Sequence, residues 1–192
     1  MKTIYMLIIS MTLAVGAVSL AESVERELKN DIVRLHIVAD SDEKQAQELK
    51  LKVRDEIIKN VSLSDKDFVV KAENEAKRVL KENNENYGVK ASFEGFYFPV
   101  KKYKNVTLPS GEYNSVRLVL GSGAGKNWWC IMYPPMCAVN DEEMELIEDS
   151  ERLLKNNLNS ESYELVTSKS DKVKLKFKTV EIIQYIKNMR KK

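Results

Sequence analysis

Histidine occurs once in these 192 residues, cysteine twice, proline four times and glycine seven times. One imidazole and two thiols leave almost no donors for a His/Cys zinc site. So few Gly and Pro exclude a collagenous or low-complexity polymer. Net charge is also scarce: 31 Lys+Arg stand against 29 Asp+Glu, leaving +2 with the His neutral. A dedicated DNA-binding chain usually carries a strong positive excess on one face, so no nucleic-acid partner is expected. What is present is apolar material. Hydrophobic residues make up 43% of the chain, which excludes wholesale disorder. The length fits one domain, or one domain with an appendage.

A long uncharged run occurs once, from Ile4 to Leu20. Met1-Lys2-Thr3 gives it a short basic start. Ser19-Leu20-Ala21 puts small residues where a signal peptidase reads, and Glu22 restores charge. This is the layout of a secretory signal peptide over residues 1–21. A competing reading is an uncleaved anchor, because the run is only just long enough for a ~30 Å hydrocarbon core. Lys2 is the only charge before it, so the amino end would stay cytoplasmic. A buried core helix is the third reading. The first two both send residues 22–192 across a membrane, as one extracytoplasmic domain. Cys130 and Cys137 suit that compartment, with Pro134-Pro135 bending the chain between them. A bond would close a loop of about eight residues and stabilise by roughly 2 kcal/mol in the loop-entropy model. Two small buried hydrophobes are the alternative.

Periodicity gives the elements. Ile32–Ala39 alternates as a strand, with Val33, Leu35, Ile37 and Ala39 forming a wholly apolar face that should meet the core. Asp40-Ser41-Asp42 ends it and offers a helix cap. Ala46, Leu49, Val53 and Ile57 make one helical stripe up to about Asn60. Ser62 and Ser64 offer a second cap. Val69, Ala72, Ala76, Val79 and Leu80 make a second stripe, ended by Asn83-Asn84-Glu85-Asn86 and Gly88. Val89–Val100 reads as a strand in which Gly95 marks a bulge or a close backbone approach. Leu108-Pro109-Ser110-Gly111 reads as a tight turn. Val116, Leu118 and Leu120 alternate in the next strand. Gly121–Gly125 reads as a flexible loop, and Trp128–Tyr133 as a short strand stopped by the prolines.

Asn140-Asp141 caps a third helix bearing Met144, Ile147, Leu154 and Leu158. Tyr163–Thr167 and Val173–Phe177 read as strands, and Thr179 caps a last helix. Strands cluster instead of alternating with helices. The expected class is therefore α+β: a single domain, a largely antiparallel sheet and about four helices. Residues 141–164 hold nine acids and two bases, and residues 168–192 nine bases and two acids. Mutual neutralisation is the plain account. A basic tail (Arg190, Lys191, Lys192) in peripheral contact with an anionic membrane surface is the sharper one.

Three constellations can be tested for chemistry. Gly121–Lys126 looks like a phosphate cradle, but a P-loop needs four residues between its glycines and a Ser/Thr after the Lys. Here three intervene, Asn127 follows, and a strand replaces the helix whose dipole holds phosphate. No nucleotide or other cofactor is implied. His36 is the only possible imidazole base, with Arg34 on its face and Asp40, Ser41 and Asp42 beyond. A Ser-His-Asp set is conceivable, yet Ser41 lies on no Gly-x-Ser-x-Gly elbow. An extracytoplasmic hydrolase acting on cell wall or peptide through His36 stays as the alternative. Asn127–Cys137 holds both tryptophans. Alternation sends Trp128 and Trp129 to opposite faces, which leaves either one of them exposed for contact or both rings covered internally. Trp and Tyr dominate binding hot spots because each removes a large rigid surface from water.

Two stretches carry a resemblance. One is Arg34-Leu-His-Ile-Val-Ala-Asp-Ser-Asp42 with Leu49-Lys-Leu-Lys-Val-Arg-Asp55. The other is Leu108-Pro-Ser-Gly-Glu-Tyr113 with Gly121-x-Gly-x-Gly-Lys-Asn-Trp-Trp-Cys130 and Tyr133-Pro-Pro-Met-Cys137. Together they resemble the stage II sporulation protein R family of endospore-forming bacteria, over roughly residues 32–140. Asp40 departs from the pattern, where Asn is expected. The resemblance implies a non-enzymatic signal, secreted across the forespore membrane into the space between forespore and mother cell. There it activates a membrane-embedded aspartic protease, which matures a mother-cell sigma-factor precursor. The residues expected to touch that partner are Trp128, Trp129, Tyr133, Pro134 and Pro135, with Arg34, His36 and Asp40 as a second patch.

Overall fold

The computed structural model describes residues 2–103, 106–137 and 150–167. The elements are α1 (Lys2–Asp31), β1 (Val33–Val38), α2 (Lys44–Asn60), α3 (Phe68–Glu82), β2 (Val89–Phe98), β3 (Lys101–Lys102), β4 (Thr107–Leu108), β5 (Gly111–Leu120), β6 (Asn127–Tyr133), α4 (Ser150–Asn157) and α5 (Ser160–Thr167). A four-stranded sheet runs in the order β2-β5-β1-β6, and β3 and β4 form a small two-stranded sheet. β2 and β6 pair antiparallel with β5 and β1, but β1 and β5 at the centre are parallel. The α+β expectation holds, with a mixed sheet and five helices among the described residues.

Both faces of the sheet are covered. Leu35, Ile37, Val116, Leu118, Trp128 and Cys130 face α2 and α3, whose Leu49, Val53, Ile57, Ala72, Ala76 and Val79 close one core. The apolar face read from β1 is there. The opposite face is not solvated, however. Ile32, Phe98, Tyr113, Ile131 and Met136 meet Leu28 of α1, Tyr103, Val106, Leu108 and residues of α4 and α5 in a second core. Arg34 and His36 therefore lie inside it, 0% and 1% exposed.

Local signals resolve as follows. α2 starts at Lys44 after Glu43, which makes no side-chain cap bond. Asp40 is turned away to another partner, and the Ser41 hydroxyl only accepts the Glu43 N–H at 3.4 Å. α3 starts at Phe68, with Ser62 and Ser64 bonded to each other at 2.8 Å and not capping it. The Asn run does end α3, since Asn84 takes φ 60°, a conformation Asn tolerates better than most residues. Gly95 is a close approach and not a bulge. The β2–β5 register runs unbroken, and a Cβ there would meet the Glu112 carboxylate at 2.6 Å.

Residues 22–30 continue α1, and Leu28 is 1% exposed. Glu27 of this turn accepts the Ser162 hydroxyl at 3.0 Å. Tyr163–Thr167 is helix, not strand. The Asn159 carboxamide oxygen accepts the Ser162 N–H at 2.8 Å, and Ser162, Leu165 and Val166 are buried at helical spacing. That bond supplies the cap which Tyr-Glu-Leu-Val-Thr alone does not advertise. Among the described residues no helix is long and apolar enough to cross a membrane. The uncharged Ile4–Leu20 run stands as a sequence feature. Met144, Ile147, the Val173–Phe177 strand, the last helix and the basic tail lie outside the described residues.

Candidate functional site

β6 and the turn after it place most of the residues singled out by sequence. Trp128 points into the α2–α3 core, 6% exposed, with the Arg54 guanidinium 5.1 Å from its ring centroid. Trp129 points the other way and is half-buried, with Lys101 Nζ 4.3 Å from its ring. Neither tryptophan is a free aromatic knob. Tyr133, at the end of β6, is 45% exposed, and its hydroxyl bonds the Asn157 Oδ1 of α4 at 3.1 Å. After it Pro134 is buried and Pro135 exposed. The Met136 N–H returns to the Ile131 carbonyl at 3.3 Å, and Cys137 is joined to Cys130 across a Cα–Cα distance of 5.8 Å. This doubled-back segment forms one wall of a groove of about 800 Å³. Tyr133, Pro135, Met132 and Cys137 line it on one side, and Ile58 of α2 with Val61 and Leu63 of the following link on the other.

Arg34 and His36 are not part of that surface. Burial holds the His36 imidazole down to about 4, with Arg117 and Arg34 adding to the effect against its hydrogen bond to Asn127. His36 Nε2 lies 2.7 Å from Asn127 Oδ1. Its ring centroid lies 4.7 Å from that of Phe96 and 5.8 Å from that of Trp129. No hydroxyl or carboxylate bonds it among the described residues, so no Ser-His-Asp arrangement is assembled around it. Arg34 lies over Phe98 at 4.0 Å and Tyr113 at 5.3 Å, and its Nη2 donates to the Tyr103 hydroxyl at 3.1 Å. As a second contact patch these two side chains are misplaced: Phe96, Phe98 and Trp129 pack around His36, and Phe98, Tyr113 and Tyr103 around Arg34.

Asp40 has a structural task that sequence reasoning missed. Its Oδ1 accepts the Ser122 N–H at 2.6 Å. Its carbonyl accepts the Ser122 hydroxyl at 2.7 Å and the Ala124 N–H at 3.0 Å. Gly125 N–H goes to the Ala39 carbonyl at 2.9 Å, and Gly121 N–H to Gly88 at 2.8 Å. The loop read as flexible is thus clasped to the end of β1. Gly121 and Gly123 take φ of 57° and 66°, and a Cβ on Gly121 would collide with the Asp40 carboxylate. One on Gly125 would collide with the Ser41 backbone carbonyl. The Ser122, Ala124 and Gly125 N–H groups are spent on Asp40 and Ala39, and those of Gly121 and Gly123 on Gly88 and Leu120, which is a further physical reason that Gly121–Lys126 does not cradle phosphate. The signal for this was the Gly-x-Gly-x-Gly spacing itself.

Among the described residues no group of three or more His, Cys, Asp or Glu is placed to hold a metal ion. No solved structure is significantly similar to this chain. The curated stage II sporulation protein R of Bacillus subtilis (strain 168) is 32% identical over 161 residues, covering 77% of this chain and 72% of that protein. The family model described as Stage II sporulation protein R matches residues 29–143, which takes in β1 through β6, the glycine clasp and both cysteines. The chain belongs to the stage II sporulation protein R family.

Proposed function

We propose that this sporulation protein is a secreted intercellular signal. It works outside the cytoplasm and activates a membrane-embedded aspartic protease by binding the protease's external part. Activation then leads to processing of a mother-cell sigma-factor precursor. Family membership is the observation that carries the reading. The amino-terminal layout supports export, either as a cleaved signal peptide over residues 1–21 or as an anchor. A ligand of this kind acts by preferring the active conformation of its receptor, and it needs a recognition surface more than a reaction centre.

The surface that fits is the groove beside the Cys130–Cys137 bridge. It combines an exposed tyrosine and proline with an apolar floor, the composition of a binding hot spot. Of the contact residues named from sequence, Tyr133 and Pro135 keep that role. Trp128 and Trp129 lie farther along β6, Pro134 is buried in the turn, and Asp40 holds the glycine loop at the opposite end of β1. The expected result is that Tyr133→Ala and Pro135→Ala leave the domain folded but depress precursor processing in sporulating cells about tenfold or more. Full processing by the doubly substituted, normally folded protein would remove this surface from the account.

A further inference from the structure

On the face of the sheet opposite α2 and α3, donors outnumber acceptors. Arg34 is wholly buried, yet its Nε and Nη1 have no hydrogen-bond partner. Arg117 Nε and the Trp129 indole N–H are buried without one as well. Arg117 and Arg34 act on the same imidazole, that of His36, and Lys101 lies over Trp129 at 4.3 Å within reach of the Arg34 charge. Among the described residues none of these three cations has an ion pair. Buried cations are ordinarily paired, because an uncompensated one is costly. Aromatic faces offset part of that cost: Phe98 under Arg34 and Phe96 under Arg117, 4.0 and 5.3 Å from the guanidinium carbons. They accept no N–H in its plane.

We propose that the Arg34–Arg117–Trp129 cluster is an oxyanion-binding site, its floor formed by Arg34 and its rim by Lys101, Arg117 and the Trp129 indole. An oxyanion supplies both the missing negative charge and the missing acceptors, which a neutral ligand cannot do. Arg34 is already oriented by the Tyr103 hydroxyl, so little reorganisation of the floor is needed. The rim is half-buried, and the flexible Lys101 side chain is the part that moves aside. By its chemistry the oxyanion is a carboxylate from a protein side chain or free phosphate. This inference is independent of the proposed signalling role.

The test is heteronuclear NMR of the indole N–H signals of the full-length chain in a mild non-ionic detergent. Trp129→Phe assigns the two peaks. Blocked glutamate and inorganic phosphate are titrated separately at constant chloride. The expected result is a saturable shift of the Trp129 signal and not of the Trp128 signal, with at least one probe. The tighter probe identifies the source of the oxyanion. Arg34→Gln should abolish the shift. Should that variant unfold, the rim variant Lys101→Met with Arg117→Met should weaken it about tenfold. No saturable shift with either probe, or one unchanged in the rim variant, would overturn the assignment and leave water as the occupant.

Discussion

At the end of β1, Asp40 does for the glycine loop what a bound anion does for a P-loop: one carboxylate oxygen and one carbonyl gather three donors from Ser122 and Ala124. Asp40→Ala should therefore lower the unfolding free energy by about 1–2 kcal/mol in urea titrations. Asp40→Asn keeps an acceptor oxygen and should cost well under half of that. Gly125→Ala should cost about 1–3 kcal/mol, because the new methyl meets backbone and not a side chain that can swing away. His36 gives a pH dependence with a definite sign. Its folded pKa is depressed from 6.5 to about 4, by burial first, against the opposing hydrogen bond to Asn127, and further by Arg117 and Arg34. Below pH 6.5 the unfolded chain binds a proton that the folded chain refuses. Stability is thus complete above pH 6.5 and is lost as pH falls towards 4, by up to about 3 kcal/mol. Urea titrations at pH 7 and pH 5 should show this loss in the wild type and much less of it in His36→Gln. Equal losses in both would show that the imidazole is not the group responsible.

Among the elements, β6 with its proline turn forms one wall of the groove proposed for partner contact. The bridge closes a loop of about eight residues, so Cys130→Ala with Cys137→Ala should cost roughly 2 kcal/mol, read as a lower urea midpoint. The same change loosens the wall that presents Tyr133 and Pro135. The elements were legible in sequence where a period repeated: the α2 and α3 stripes are buried apart from the half-buried Ala46 and Val69, and the apolar face of β1 meets the core. Three features were not legible, each for a physical reason. Arg34 and His36 alternate with apolar residues as on a half-wet strand, but their cover comes from Phe96, Phe98, Tyr103, Tyr113 and Trp129, remote in sequence. Trp128 and Trp129 alternate as expected, yet both faces of β6 are packed, so exposure passes to Tyr133 and Pro135. Tyr163–Thr167 has strand-forming residues, and only the Asn159 carboxamide reveals the start of a helix.

For the molecule as a whole, the parallel β1–β5 pair lies at the centre of a sheet with two cores, and α1 belongs to both the amino-terminal run and the second core. Its last turn is tied in by Leu28 and by the Glu27–Ser162 bond. A chain beginning at Glu22 should then keep the stability of the domain, whereas Leu28→Ala in that chain should cost about 2–4 kcal/mol by calorimetry or urea. Cleavage after Ala21 is compatible with the fold for that reason. The central claim is that this molecule acts on its partner by binding. Its most direct measurement is precursor processing in membranes that contain the aspartic protease, with and without the purified chain beginning at Glu22. Processing should appear only when the chain is added, rise to saturation with its concentration, and fall when Tyr133 and Pro135 are replaced by Ala. Processing at full rate in its absence, or none at any concentration added, would contradict the account.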